Sequence, residues 1–148
     1  MKSKLLFLCV LVMVSFQSCE NSESVIIFHE SHESSRVNVP FSDVVEIDNL
    51  LFLTGQIGKD HKSGKLVPGG ITNETKQVIE NIKAVLEHHN LSLDNVIKCT
   101  VILKDINDFK AFNSVYSTYF IKKPARTTFA ASGLAGGANI EIDVIAAK

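Results

Sequence analysis

The chain has 148 residues, 45% of them apolar and 21% charged, with a formal net charge of −1. That composition supports one globular core and excludes a disordered chain. The near-neutral balance excludes a strongly basic nucleic-acid binder, and three cysteines exclude a disulfide scaffold.

Lys2 and Lys4 precede an unbroken apolar run from Leu5 to Val14. At about 1.5 Å per residue the run is too short to span a bilayer, and it fits the apolar region of a secretory signal. Phe16-Gln17-Ser18-Cys19 follows and resembles the lipobox of a bacterial lipoprotein, although Phe16 and Gln17 depart from its commoner residues. The resemblance implies a signal over 1–18, a lipidated Cys19 as mature N-terminus, a tether over 19–24 and a folded domain over 25–148. It implies export and lipid anchoring to a bacterial membrane, with the domain facing the periplasm. An ordinary cleaved signal and an uncleaved anchor are the alternatives, and each also places the domain outside the cytoplasm. Loss of Lys2 and Lys4 makes the mature chain more acidic. Cys9 leaves with the signal, Cys19 anchors, and Cys99 remains as the free thiol, which suits an oxidising compartment.

In the domain, Val25–Phe28 is β-branched and reads as a first strand. Pro40 punctuates the chain, Val44–Ile47 gives a second strand, and Asn49 is the turn residue before a third at Leu50–Ile57. Residues 59–70 are rich in Gly, Lys and Pro and read as a loop. Ile71, Thr75, Val78, Ile79, Ile82, Val85, Leu86 and His89 then recur at helical spacing. Thr72 or Asn73 is the expected cap, Glu74 suits the first turn, and Asn90 suits a left-handed ending.

Val96–Leu103 reads as a strand with Ile97, Cys99, Val101 and Leu103 on one face. Asp108 is the expected cap of a second helix over 108–121. Thr127–Ala131 and Ile140–Ala146 read as two last strands joined as a hairpin by the small-residue turn 132–137. The order predicts an α+β domain with two helices packed on one face of a mostly antiparallel sheet. In the last strand Ile140, Ile142 and Val144 point to the helices. Glu141 and Asp143 point to the other face, which therefore meets water, a ligand or another subunit.

Several ordered stretches resemble the RidA/YjgF family of imine deaminases. They are Leu53-Thr54-Gly55-Gln56-Ile57, Gln77–Leu86, Asp94–Lys98, Lys104–Phe109, Asn113–Tyr116, Tyr119-Phe120, Pro124-Ala125-Arg126 and Ile140-Glu141-Ile142. The resemblance covers roughly residues 36–147. It implies a chorismate-mutase-like fold and a homotrimer with sites between subunits. It implies hydrolysis of 2-enamines and 2-imines, such as 2-aminoacrylate, to 2-keto acids and ammonia, with no metal or organic cofactor.

The family's essential arginine matches Arg126, whose guanidinium can fork onto a substrate carboxylate. Glu141 matches the glutamate that helps hold the attacking water and can carry protons. Gly55 matches a glycine beside the ligand, where a bare backbone allows close approach. Asn113 matches an asparagine near the subunit boundary. Phe41 stands where the family often has tyrosine, so an aromatic wall remains without its hydroxyl. Thr128 stands where one branch has a small polar or thiol residue, and the segment between Phe120 and Pro124 is shorter than in many relatives. These departures concern substrate range and rate and leave carboxylate binding intact.

Among the remaining candidates, Cys99 alternates with apolar positions and reads as a core thiol. His88 and His89 end a helix and suit its dipole, and neither reads as a metal ligand. His29 and His32 lie in a polar segment with no assigned role. The alternative function is a non-catalytic trimer of the same fold that binds small carboxylates. A ribonuclease role, attached to some relatives, fits neither the acidic mature charge nor the export signal.

Overall fold

The computed structural model describes residues 24–148. The signal, Cys19 and all but the last residue of the tether lie outside the described residues. Among the described residues no helix is long and apolar enough to cross a membrane. The strands are β1 (Ile26–His29), β2 (Val44–Ile47), β3 (Leu50–Ile57), β4 (Lys59–Asp60), β5 (Lys65–Leu66), β6 (Val96–Leu103), β7 (Ala125–Ala130) and β8 (Ile140–Ala147). The helices are α1 (Gly70–His88) and α2 (Phe109–Tyr119).

Six strands form one sheet in the order β1-β2-β3-β8-β6-β7. All neighbours are antiparallel except β6 and β7, which α2 joins in parallel. A parallel pair needs a crossover, and a helix supplies it. The expected α+β class and the mostly antiparallel sheet are observed. The last hairpin is not. β8 inserts between β3 and β6, while β7 takes the far edge of β6. Residues 131–139 instead pass the end of β6, where Ala131 N donates to Leu103 O at 2.9 Å and Lys104 N to Asn139 O at 2.9 Å. The most apolar strands thereby gain partners on both edges.

The core lies between the sheet and the helices. Leu51 and Leu53 of β3, Val101 and Leu103 of β6, and Ile140, Ile142 and Val144 of β8 meet Val78, Ile79, Ile82 and Leu86 of α1 and Phe112 of α2. Each such side chain contributes roughly 1.5–3 kcal/mol on burial.

Other local expectations are corrected. The loop over 59–70 contains the small β4–β5 hairpin. Gly69 caps α1 from the left-handed region at φ 104°, while Asn73 folds back onto Pro68 O at 2.8 Å. Asp105, not Asp108, gives a side-chain cap before α2, accepting from Asn107 N at 2.9 Å. Asn49 does lie in the turn between β2 and β3, where Asp48 takes the positive φ of 53°. A register shift between Val96 and Lys98 leaves Ile97 47% exposed and buries Val96 instead. Asn90 does take the left-handed position, at φ 60°.

Candidate active site

Arg126 sits in β7 opposite Cys99 of β6, which in turn opposes Val144 of β8. Cys99 and Val144 are buried under the helices. Arg126 therefore leaves the sheet on the helix side. Its guanidinium lies 4.6 Å from the Tyr116 ring centre, 5.2 Å from Phe112 and 5.6 Å from Phe109. Three rings on α2 thus limit where the cation can point, and cation–π attraction holds it there. Arg126 shares a cleft of about 490 Å³ with Asn113, Tyr116, Lys123 and Pro124. Thr128 lies on the same face, opposite Val101, and its hydroxyl is buried without a hydrogen-bond partner among the described residues.

Cys99 is buried and accepts a hydrogen bond from the Tyr116 hydroxyl at 3.2 Å. Burial pushes its thiol up to about 11, so it is a packing thiol and not a nucleophile. Burial, and then Cys99, also raise the Tyr116 phenol.

Glu141 occupies the other face. It alternates in β8 with the buried Ile140 and Ile142, and it opposes Ile57 of β3 and Ile102 of β6. The register of β3 against β8 shifts between Leu53 and Gln56, and Gly55 falls inside that irregularity. A Cβ on Gly55 would stand 2.2 Å from Glu141 Oε1 and 3.0 Å from its Cδ. Gly55 therefore makes the space that the carboxylate occupies. Glu141 is half-buried, and its pKa is raised, first by burial and then by Asp143. A carboxyl held above its usual range can exchange a proton nearer neutral pH. Phe41, Gly55, Gln56 and Glu141 line one cleft of about 480 Å³.

The candidate residues thus fall into two groups. Arg126 and Asn113 share the first cleft, while Phe41, Gly55 and Glu141 share the second. The two groups leave opposite faces of the same sheet. Lys98 confirms the alternation at this edge, because its Nζ donates to Thr127 Oγ1 at 2.7 Å on the side away from Arg126. One chain does not bring Arg126 and Glu141 together.

The profile of a family described as "Endoribonuclease L-PSP" matches residues 32–148. The chain belongs to this family, the RidA/YjgF proteins. The 2-iminobutanoate/2-iminopropanoate deaminase of Mus musculus is 40% identical over 110 residues, 74% of this chain and 82% of that protein. A RutC family protein of Pyrococcus horikoshii is 49% identical over 74% of this chain and 87% of its own length. The crystal structure of the YjgF gene product of E. coli superposes with a TM-score of 0.75 at 28% identity, covering 82% of this chain and 98% of that one.

The RidA-like core also uses polar residues in roles that the sequence patterns did not give. Glu74, expected to serve the helix dipole, is buried and accepts from Asn139 N at 2.8 Å and from the Asn139 side chain. Asn81 donates to Lys59 O at 2.9 Å and Ile57 O at 3.2 Å, tying α1 to the end of β3. Both lie on the helix face that the apolar stripe predicted. Their signal was a polar residue flanking that stripe, which reads equally well as its solvated edge. His29 and His32 pack against His89 and His88, with ring centres 4.7 and 4.8 Å apart, and so join β1 and the segment after it to the end of α1.

Proposed function

We propose that this protein hydrolyses 2-enamines and 2-imines of the 2-aminoacrylate type to 2-keto acids and ammonia, as an exported, lipid-anchored homotrimer. The observation that carries the reading is the 40% identity to the mouse deaminase across most of both chains. The placement of Arg126 and Glu141 supports it. Opposite faces of one sheet meet only when a second copy supplies one of them, and a closed trimer repeats that contact three times.

In the proposed site Arg126 of one subunit forks onto the substrate carboxylate. Glu141 of its neighbour faces the imine carbon. The carboxylate accepts a proton as water adds to the carbon of the protonated imine, returns it to the carbinolamine nitrogen, and takes the hydroxyl proton as the C–N bond breaks, ammonia leaves and the keto acid forms. Gly55 gives Glu141 its room, and Phe41 closes one wall. Asn113 and Thr128 complete the Arg126 side. The apolar run before Cys19 and its lipobox-like sequence support export and anchoring, facing the periplasm.

The test generates 2-aminoacrylate with a helper enzyme and follows keto-acid release. Wild type is expected to accelerate release, and Arg126→Ala is expected to lose that acceleration while sedimentation and fold signals report an intact oligomer. Keto-acid binding with no acceleration by wild type would support a carboxylate-binding protein instead.

A further inference from the structure

The cleft that holds Glu141 carries a second polar feature that imine hydrolysis does not use. Arg36 enters it from the segment between β1 and β2. Its Nη1 donates to Gln56 Oε1 at 2.5 Å, and its Nη2 lies 2.9 Å from Asp43 Oδ1. Asp43 is itself buried and accepts from Ser31 Oγ at 2.9 Å. Two N–H donors remain. Arg36 Nε and Gln56 Nε2 are both buried without a hydrogen-bond partner among the described residues, and Asp43 Oδ1, held by the Arg36 charge at 2.9 Å, likewise accepts no hydrogen bond. Gln56 is 1% exposed, and both residues line the cleft with Glu141.

We propose that Arg36 and Gln56 form a side-chain subsite of this cleft, and that the preferred substrates are 2-imino acids whose side chain ends in a second carboxylate. The inference rests on the deaminase reading and names its substrate class. A buried donor without an acceptor is costly, and a methyl or ethyl side chain would leave two of them unmatched. A carboxylate can accept from both at once, and charge-assisted bonds are the stronger kind. The remaining polar groups of the cleft agree. Lys59 and His61 are its other nitrogen bases, and Glu141 is the acid among its lining residues. Burial and then the Arg36 charge lower the His61 pKa, while Glu33 and Asp43 act in the opposite direction. The reaction is unchanged: water adds to the imine carbon, the C–N bond breaks, and ammonia leaves a dicarboxylic keto acid.

Full-length protein is assayed with imines released in situ from alanine, aspartate or glutamate by amino-acid oxidases. The expected kcat/KM for the dicarboxylic imines exceeds that for 2-iminopropanoate by roughly tenfold or more, because a site built to bond a polar group discriminates strongly. In the double variant Arg36→Met, Asp43→Asn, which leaves no buried carboxylate unpaired, that ratio is expected to collapse to near unity. Should this variant not fold, binding of 2-oxoglutarate against pyruvate to the wild-type protein decides. Tighter 2-oxoglutarate supports the subsite, and equal or weaker binding overturns it. Hydrolysis of 2-iminopropanoate without dicarboxylate preference overturns the subsite and leaves the deaminase reading standing. Failure to hydrolyse any of the imines overturns both.

Discussion

Gly55 and Glu141 are coupled by space. The glycine is needed for the 2.2 Å approach that a Cβ would make to the carboxylate oxygen, not for an unusual backbone angle. Gly55→Ala is therefore expected to displace Glu141. Catalytic efficiency should fall by roughly 10²-fold, the usual consequence of misplacing a reacting group by about 1 Å. A thermal melt should show the fold retained. Glu141 also carries a pH signature. Its folded pKa lies above the ordinary 4.5, so its contribution to stability is present below that value and is lost as pH rises through the folded pKa. Glu141→Gln should gain stability relative to wild type as pH is raised from about 4 to about 7, read from denaturant midpoints. The same variant should remove the rising limb of the kcat/KM profile. A profile unchanged by Glu141→Gln would take the proton-carrying role from this residue. Arg126 was visible as a candidate in the sequence because it follows Pro124-Ala125. The rings beneath it were visible only as core positions of a helix.

At the scale of elements, α1 does more than cover the sheet. Glu74 binds the backbone and side chain of Asn139, just before β8, and Asn81 binds the carbonyls of Ile57 and Lys59. The helix thus fixes the end of β3 and the entry to β8, the two strands that carry Gly55 and Glu141. Gly58 permits this packing, since a Cβ there would stand 2.6 Å from the Glu74 side chain and 2.8 Å from its Cα. Glu74→Ala leaves the Asn139 donors without their buried acceptor, and is expected to cost about 1–3 kcal/mol in urea denaturation. A cost near zero would mean that water replaces the carboxylate. The strand spans of β2, β3 and β6 and the body of α1 were legible because their apolar periods are unbroken. The β7–β8 hairpin was misread because a Gly-rich segment between two strands has the same composition whether it turns back or crosses a neighbour. The exposure of Ile97 was missed because a one-residue register shift leaves no mark on composition.

For the whole molecule, the separation of Arg126 from Glu141 makes the proposed site a property of the assembly. Two inactive variants should then repair each other. Arg126→Ala and Glu141→Gln subunits, unfolded together and refolded as mixed trimers, would reconstitute about a quarter of the sites by random association, since each site takes one residue from each neighbour. Recovery of activity in the mixture, with none in either variant alone, is the expected result. No recovery would place both residues in one subunit's site, against the geometry of the sheet. Sedimentation of the wild-type protein checks the trimer directly.

The sequence by itself determined the α+β class and the sheet-facing apolar stripes, and its resemblance to the family supplied the pair of residues on which the chemistry is proposed to rest. Those features are local: periodicity follows from backbone geometry, and a guanidinium or carboxylate keeps its chemistry wherever it is placed. Only the tertiary structure decided which strands neighbour one another, that β8 separates β3 from β6, and that Arg126 and Glu141 point to opposite faces. It also decided that Arg36, Asp43 and Gln56 meet beside Glu141. Pairing and facing depend on long-range register, where a shift of one residue exchanges the two sides of a sheet.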